Sequence, residues 1–95
     1  MPNEQLNDAE IDAQASQLTL WTLQKDRLCR QFVFNDFVAA FNFMTQVADL
    51  AEQSNHHPEW SNVYNKVEIA LTTHEFNNVS QRDFDLANKI DLLKI

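Results

Sequence analysis

The apolar residues of this chain change their spacing along its length, and that change restricts the fold more than any other feature. Leu28, Arg30, Phe32 and Phe34 alternate with Cys29, Gln31 and Val33, the period of two expected of a strand. Asn35-Asp36 then supplies a cap, and Phe37, Phe41, Met44, Ala48 and Ala51 recur at helical spacing, predicting a helix over roughly residues 36–53. Upstream, Leu18, Leu20 and Leu23 flank Trp21 ahead of a polar Gln24-Lys25-Asp26-Arg27 turn, so residues 18–34 read as a β-hairpin. Period two returns from Val63 to Thr73, with Val67, Ile69 and Leu71 on one side and Glu68, Ala70 and Thr72 on the other. Asn65-Lys66 divides that stretch into a short strand and a longer one.

Two further helices bracket this pattern. One opens at Asn7-Asp8-Ala9-Glu10 after a loose lead-in over residues 1–6, and ends near Gln17. The last begins at Ser80, with Asp83 three residues on as an acidic variant of the capping box and Leu86, Ile90 and Leu93 as its apolar face. The order α-β-β-α-β-β-α predicts an α+β fold, a four-stranded antiparallel sheet with three helices packed on one face. With 95 residues, the chain is read as a single domain over 1–95.

The long helix carries more apolar surface than one core needs. Adding Ala39, Phe43, Val47 and Leu50 widens its apolar arc to about 200°, where a core face takes roughly 100°. A deeply buried helix satisfies this, and so does a second face, around Phe43, Val47 and Leu50, that meets another subunit. A domain this small has a thin stability margin, which association would widen.

Charge excludes some partners. Seven Lys plus Arg stand against fourteen Asp plus Glu, a formal charge of −7, so no basic patch for phosphate can be assembled. Direct nucleic-acid binding is not expected, nor is binding to an anionic membrane surface. The single Cys29 offers no internal disulfide, and Met1-Pro2-Asn3-Glu4-Gln5 lacks the basic and apolar regions of a signal peptide. A cytoplasmic location is the simplest expectation, with the nucleus added for a eukaryotic coactivator.

Chemistry is concentrated at three histidines: His56-His57 after the long helix, and His74 at the end of the last strand. Element ends are where functional groups tend to be presented, and an imidazole can donate or accept a proton near neutrality. Glu52, Pro58, Trp60 and Asp83 fall nearby; Trp60 offers an aromatic wall for a flat heterocycle, and Pro58 stiffens the loop. Other readings stay open at this level. The histidines could be ordinary polar loop residues, and Asp83 no more than a helix-terminal charge. His56 or His57 with His74 and a carboxylate could bind metal, although adjacent residues make a poor bidentate pair. A nucleophile at Cys29 would sit inside a strand, with nothing placing it near a histidine.

The stretch Glu52-Gln53-Ser54-Asn55-His56-His57-Pro58-Glu59-Trp60-Ser61-Asn62-Val63-Tyr64-Asn65-Lys66-Val67 closely resembles the signature of the pterin-4a-carbinolamine dehydratases. That pattern is a Glu, three spacers, His-His-Pro, an aromatic, then Val-Tyr-Asn-x-Val, followed by a strand ending in Thr-His, matched by Thr72-Thr73-His74. Asp83 matches an Asp near the start of the final helix, and the segments Arg30–Phe37 and Phe41–Ala48 also look like the family. The likeness runs from about Trp21 to Ala87. The family has one or two Gly residues between the Thr-His and the final helix, whereas this chain has no Gly at all and carries Asn77-Asn78 there. Asn tolerates a left-handed backbone best among non-Gly residues, so the turn is expected to survive. Asn55 is often acidic in relatives.

The resemblance implies the four-stranded antiparallel fold already read from the pattern, and association into homodimers or homotetramers. It implies a pterin substrate, dehydration of a 4a-hydroxytetrahydropterin, and neither cofactor nor metal. His56 and His74 would transfer protons and His57 would mainly position the pterin; Glu52 and Asp83 would orient the imidazoles. Asn55, Pro58, Trp60 and the backbone around Thr72 and Thr73 would line the binding site. A phenylalanine hydroxylase is the implied pathway neighbour. Some family members also bind a transcription factor as a dimerisation cofactor, which makes an interaction protein the alternative reading.

Overall fold

The computed structural model describes residues 4–94, and the expected order of elements is present. Helix α1 spans Asp8–Ala15, strands β1 and β2 span Thr22–Gln24 and Arg27–Val33, and helix α2 spans Phe37–Ser54. Strands β3 (Glu59–Val63) and β4 (Lys66–Leu71) follow, then a 3-10 turn over His74–Phe76 and helix α3, Gln81–Asp91. The strands form one antiparallel sheet in the order β1-β2-β4-β3.

Register explains the alternation in the sequence. Leu28 pairs with Leu71, Arg30 with Ile69 and Phe32 with Val67, so one sheet face is apolar and meets the helices. Burying each such side chain contributes about 1.5–3 kcal/mol. Cys29, Gln31, Glu68 and Ala70 point to the opposite face, where a cavity of about 520 Å³ lies over the sheet. Two-residue turns at Lys25-Asp26 and Tyr64-Asn65 join the hairpins. With no Gly in the chain, Lys25 (φ 58°) and Tyr64 (φ 51°) take the left-handed conformation themselves.

The helix caps read from sequence are built as expected. Asn7 Oδ1 accepts from Glu10 N at 2.8 Å while Asn7 N donates to Glu10 Oε1 at 2.9 Å. Asp36 caps α2 by accepting from Ala39 N at 2.8 Å. At α3, Ser80 and Asp83 form the full capping box.

Four expectations need correction. Residues 18–21 turn rather than extend, because Leu18 N bonds Ala15 O and Trp21 N bonds Leu18 O; β1 proper is only three residues long. Strand β3 starts at Glu59, ahead of the expected Val63, and the break falls at Tyr64-Asn65, one residue early. The lead-in is not loose where it is described: Glu4 O accepts from Gln81 N at 2.9 Å and Glu4 Oε1 takes Arg82 Nε at 2.7 Å. Residues 1–3 of that lead-in lie outside the described residues.

The fourth correction concerns the faces of α2. Phe43 and Val47 are core residues, not a second surface. The ring of Phe43 sits 4.5 Å from that of Phe32 and 5.0 Å from that of Phe34, and the strip Ala40, Phe43, Val47, Ala51 faces the sheet. Leu50 packs at the core's margin. The surplus apolar surface lies at the other edge of the arc, on Phe37, Val38 and Phe41, which remain 47%, 65% and 53% exposed.

Candidate active site

The site begins where α2 stops. Asn55 takes the left-handed conformation (φ 50°, ψ 43°) as the C-cap, and His56 N then bonds Ala51 O at 3.0 Å. This reversal turns the chain back along α2 and lays His56 against the start of α3. Asn as the cap residue follows from its tolerance of that region. The His56 side chain is only 11% exposed, and its Nε2 lies 2.6 Å from Asp83 Oδ1. Asp83 is fully buried.

Asp83 serves two structures at once. Its Oδ2 accepts from Ser80 N at 2.8 Å, closing the capping box, and from Thr73 Oγ1 at 2.7 Å. Because Thr73 spends its single hydroxyl proton on Asp83, Ser80 Oγ must donate across the 2.6 Å Ser80–Thr73 contact. Ser80 Oγ in turn accepts from Arg82 N. Every oxygen of this buried cluster is thus satisfied within the protein, which rigidifies it and fixes the ring of His56. A carboxylate can only accept, so His56 carries its proton on Nε2.

Nearer the surface, His57 repeats the hydrogen bond to a carboxylate, while His74 makes a longer charge contact with one. His57 Nε2 stands 2.6 Å from Glu52 Oε2, both largely exposed. His74 Nε2 stands 3.3 Å from Glu59 Oε2, with the imidazole 79% exposed. In all three pairs Nε2 faces a carboxylate, which leaves Nδ1 as the ring nitrogen turned away from it. Elements tie the pairs together: Thr73, bonded to Asp83, immediately precedes His74, and Pro58 separates His57 from Glu59. A cavity of about 360 Å³ opens beside His56, bordered also by Asn55, Arg82 and Lys89.

Several residues expected at the site are placed differently from one another. Trp60 belongs to β3 and not to a loop, and its half-buried ring packs at the core's edge. Thr72 and Thr73 are buried; Thr72 Oγ1 donates to Asp26 O at 2.7 Å, pinning the β1–β2 turn. Asn77 adopts the left-handed conformation expected of the Gly-less turn (φ 51°, ψ 38°). Arg82 steadies this turn from α3 through Glu75 at 3.2 Å and the Phe76 ring at 5.7 Å, and these acidic partners, Glu4 first, push its pKa up. Burial raises the Cys29 thiol on the open sheet face, away from reactive thiolate character. Among the described residues no three His, Cys, Asp or Glu side chains converge as metal ligands would.

Glu59 was not among the residues expected to matter. Arg27 grips it at two points, Nε to Oε1 at 2.8 Å and Nη2 to Oε2 at 3.2 Å. That hydrogen bonding and the guanidinium charge hold its carboxyl below the ordinary value. Its signal in the sequence was its place directly after Pro58.

The molecule is thus a small α+β domain in which each of three histidines faces a carboxylate. The family model for pterin 4 alpha carbinolamine dehydratase matches residues 4–93, and the chain belongs to that family, a family of lyases. A protein of Prochlorococcus marinus (strain MIT 9303), provisionally named a pterin-4-alpha-carbinolamine dehydratase, is 54% identical over 89 residues, covering 94% of this chain and 93% of its own. One of Solibacter usitatus with the same provisional name is 46% identical over 88 residues, covering 93% of each chain. A crystal structure of a transcriptional coactivator/pterin dehydratase from Brucella melitensis superposes with a TM-score of 0.87 at 38% identity, covering 92% of this chain and 95% of that one.

Proposed function

We propose that this protein removes water from a 4a-hydroxytetrahydropterin to give the quinonoid dihydropterin, with histidines as its general acid and base. The observation that carries this reading is the buried His56–Asp83 pair, an imidazole locked in one tautomer at a cavity mouth. In the reaction the C4a–O bond breaks, the N5 lone pair forms the C4a=N5 bond, and the departing oxygen takes a proton to leave as water. The N5–H proton goes to a base. Since N5 itself expels the hydroxyl, the step needs proton transfer and no Lewis acid. His56 and His74 supply those transfers, each through Nδ1, while His57 and the neighbouring Pro58 and Trp60 position the ring. Asn55 lies at the same rim. A positioned imidazole contributes about 10²–10⁴ to such a step.

On this reading the protein serves tetrahydropterin recycling beside an aromatic amino acid hydroxylase, with the cytoplasm as its proposed location. Among the described residues no helix is long and apolar enough to cross a membrane. Ultraviolet absorbance of 4a-hydroxytetrahydropterin decay tests the reading. The intact protein should accelerate decay over buffer, with and without chelator, and His56→Ala and His74→Ala should lose most of that. A folded intact protein that leaves decay at the buffer rate ends it.

Phe37, Val38 and Phe41 favour a second role in association, as a homo-oligomer or with a transcription-factor helix, alongside the coactivator half of the Brucella protein's description. Solution mass with Phe41→Ser checks it, an unchanged assembly removing that surface.

A further inference from the structure

His74 is the most exposed of the three imidazoles, and it rides on a short turn beyond the end of β4. An exposed side chain on a turn samples several rotamers, which does not suit a proton transfer that depends on near-contact geometry. Its neighbour Glu59 is itself held. Arg27, the first residue of β2, binds both Glu59 oxygens and spends its remaining Nη1 on Asp26 Oδ1 at 2.7 Å. The turn bearing Asp26 is pinned by the buried Thr72, two residues before His74. The four groups therefore close a loop over the end of β4: Thr72 to the turn, the turn to Arg27, Arg27 to Glu59, and Glu59 to His74.

We infer that Glu59 is a positioning residue for His74, clamped by Arg27 so that its Oε2, 3.3 Å from Nε2, draws that nitrogen by charge and leaves Nδ1 to the pterin. The inference rests on the dehydratase reading. The two-point guanidinium grip fixes the plane of the carboxylate as a single-point lysine contact would not. An ordinary surface ion pair between Arg27 and Glu59 would contribute to neither the rate nor the order of His74.

The test uses the full chain with Glu59→Gln and Arg27→Met, each made alone and in a His74→Ala background. Glu59→Gln is expected to lower kcat about tenfold, a share of the roughly 10²–10⁴ of an imidazole, with KM changed less than about twofold. Arg27→Met, which releases the carboxylate without removing it, should lower kcat by a smaller factor. In the His74→Ala background neither change should cost anything further. Carbon-13 relaxation of the His74 ring should report an order parameter falling below about 0.6 in Glu59→Gln. An equal loss with and without His74, or an unchanged ring order parameter, overturns the inference. The relaxation arm needs no turnover, so an intact protein inactive in the assay would sink the dehydratase reading while ring mobility still decided the clamp.

Discussion

Asp83→Asn separates the structural and chemical duties of the buried cluster. Removing the side chain altogether would not, because Asp83→Ala strips the acceptor from Thr73 Oγ1, Ser80 N and His56 Nε2 together. At roughly 1–3 kcal/mol for each buried group left unpaired, the loss is of the order of 5 kcal/mol. A small domain has about 5–15 kcal/mol in all, so the Ala variant fails by unfolding. Asn is isosteric and divides the functions. With its Oδ1 in place of the Asp Oδ2, it keeps the bonds from Thr73 and Ser80, and its amide then points donors at His56. The imidazole can accept there only by moving its proton to Nδ1, the nitrogen proposed to face the pterin.

Exchanging one charge-assisted bond for a neutral one costs about 1–2 kcal/mol, or a melting temperature lower by roughly 5–15 °C. Activity should fall much further, by about 10²–10⁴ in kcat; the same tautomer reversal in a Ser-His-Asp triad costs about 10⁴. Circular dichroism melting, the pterin absorbance assay and nitrogen-15 imidazole shifts read the three quantities on one sample. A folded Asp83→Asn protein with kcat within about threefold of the parent would refute the tautomer argument, as would an imidazole still protonated at Nε2.

The remaining predictions concern the scaffold. Phe43→Ala should cost about 3–5 kcal/mol in a melt, since the ring fills the space between Phe32 and Phe34. Lys25→Gly should raise the melting temperature by a few degrees, because the left-handed conformation costs a non-Gly residue about 1–2 kcal/mol and Gly returns roughly 0.5–1 kcal/mol of that in entropy. The Glu59 carboxyl titrates below its ordinary value, so the stability it adds is fully present above the unfolded value near about 4.3 and is lost as pH falls through the lower folded one. The melting-temperature gap between the parent and Glu59→Gln should therefore be constant at neutral pH and close in acid, and added salt should narrow it, both partners being exposed.

Which of these features could be read from residues alone depends on how far apart in the chain their causes lie. The Asn7 cap and the Ser80–Asp83 capping box are local, spanning four residues each, and both were legible; that Glu10 closes a full box on Asn7 was not read. So was the alternation of β2 and β4, since each strand has one apolar face whatever its partner. The orientation of α2 was not. Apolar residues spread around so much of its circumference that several rotations bury a similar area, and the choice falls to the rings of Phe32 and Phe34 that receive Phe43. Strand β3 was read short because Glu59, Trp60, Ser61 and Asn62 alternate too weakly in hydropathy; its register comes from pairing with β4.

The same logic divides the site. His56, His57 and His74 stand out as residue types at element ends, and Asp83 through its cap. The partner of His74 is fixed by a contact between the first residues of two strands that are not neighbours in the sheet, Arg27 in β2 and Glu59 in β3. No periodicity carries such a contact. It requires the order β1-β2-β4-β3, in which β4 lies between them; Glu59 and Cys29 both pair with Ala70 of β4, so the side chains of Arg27 and Glu59 meet across that strand. The sheet order thus does more than hold the core. By bringing a cation from one hairpin to a carboxylate of the other, it supplies the third imidazole with a held partner that neither hairpin could provide alone.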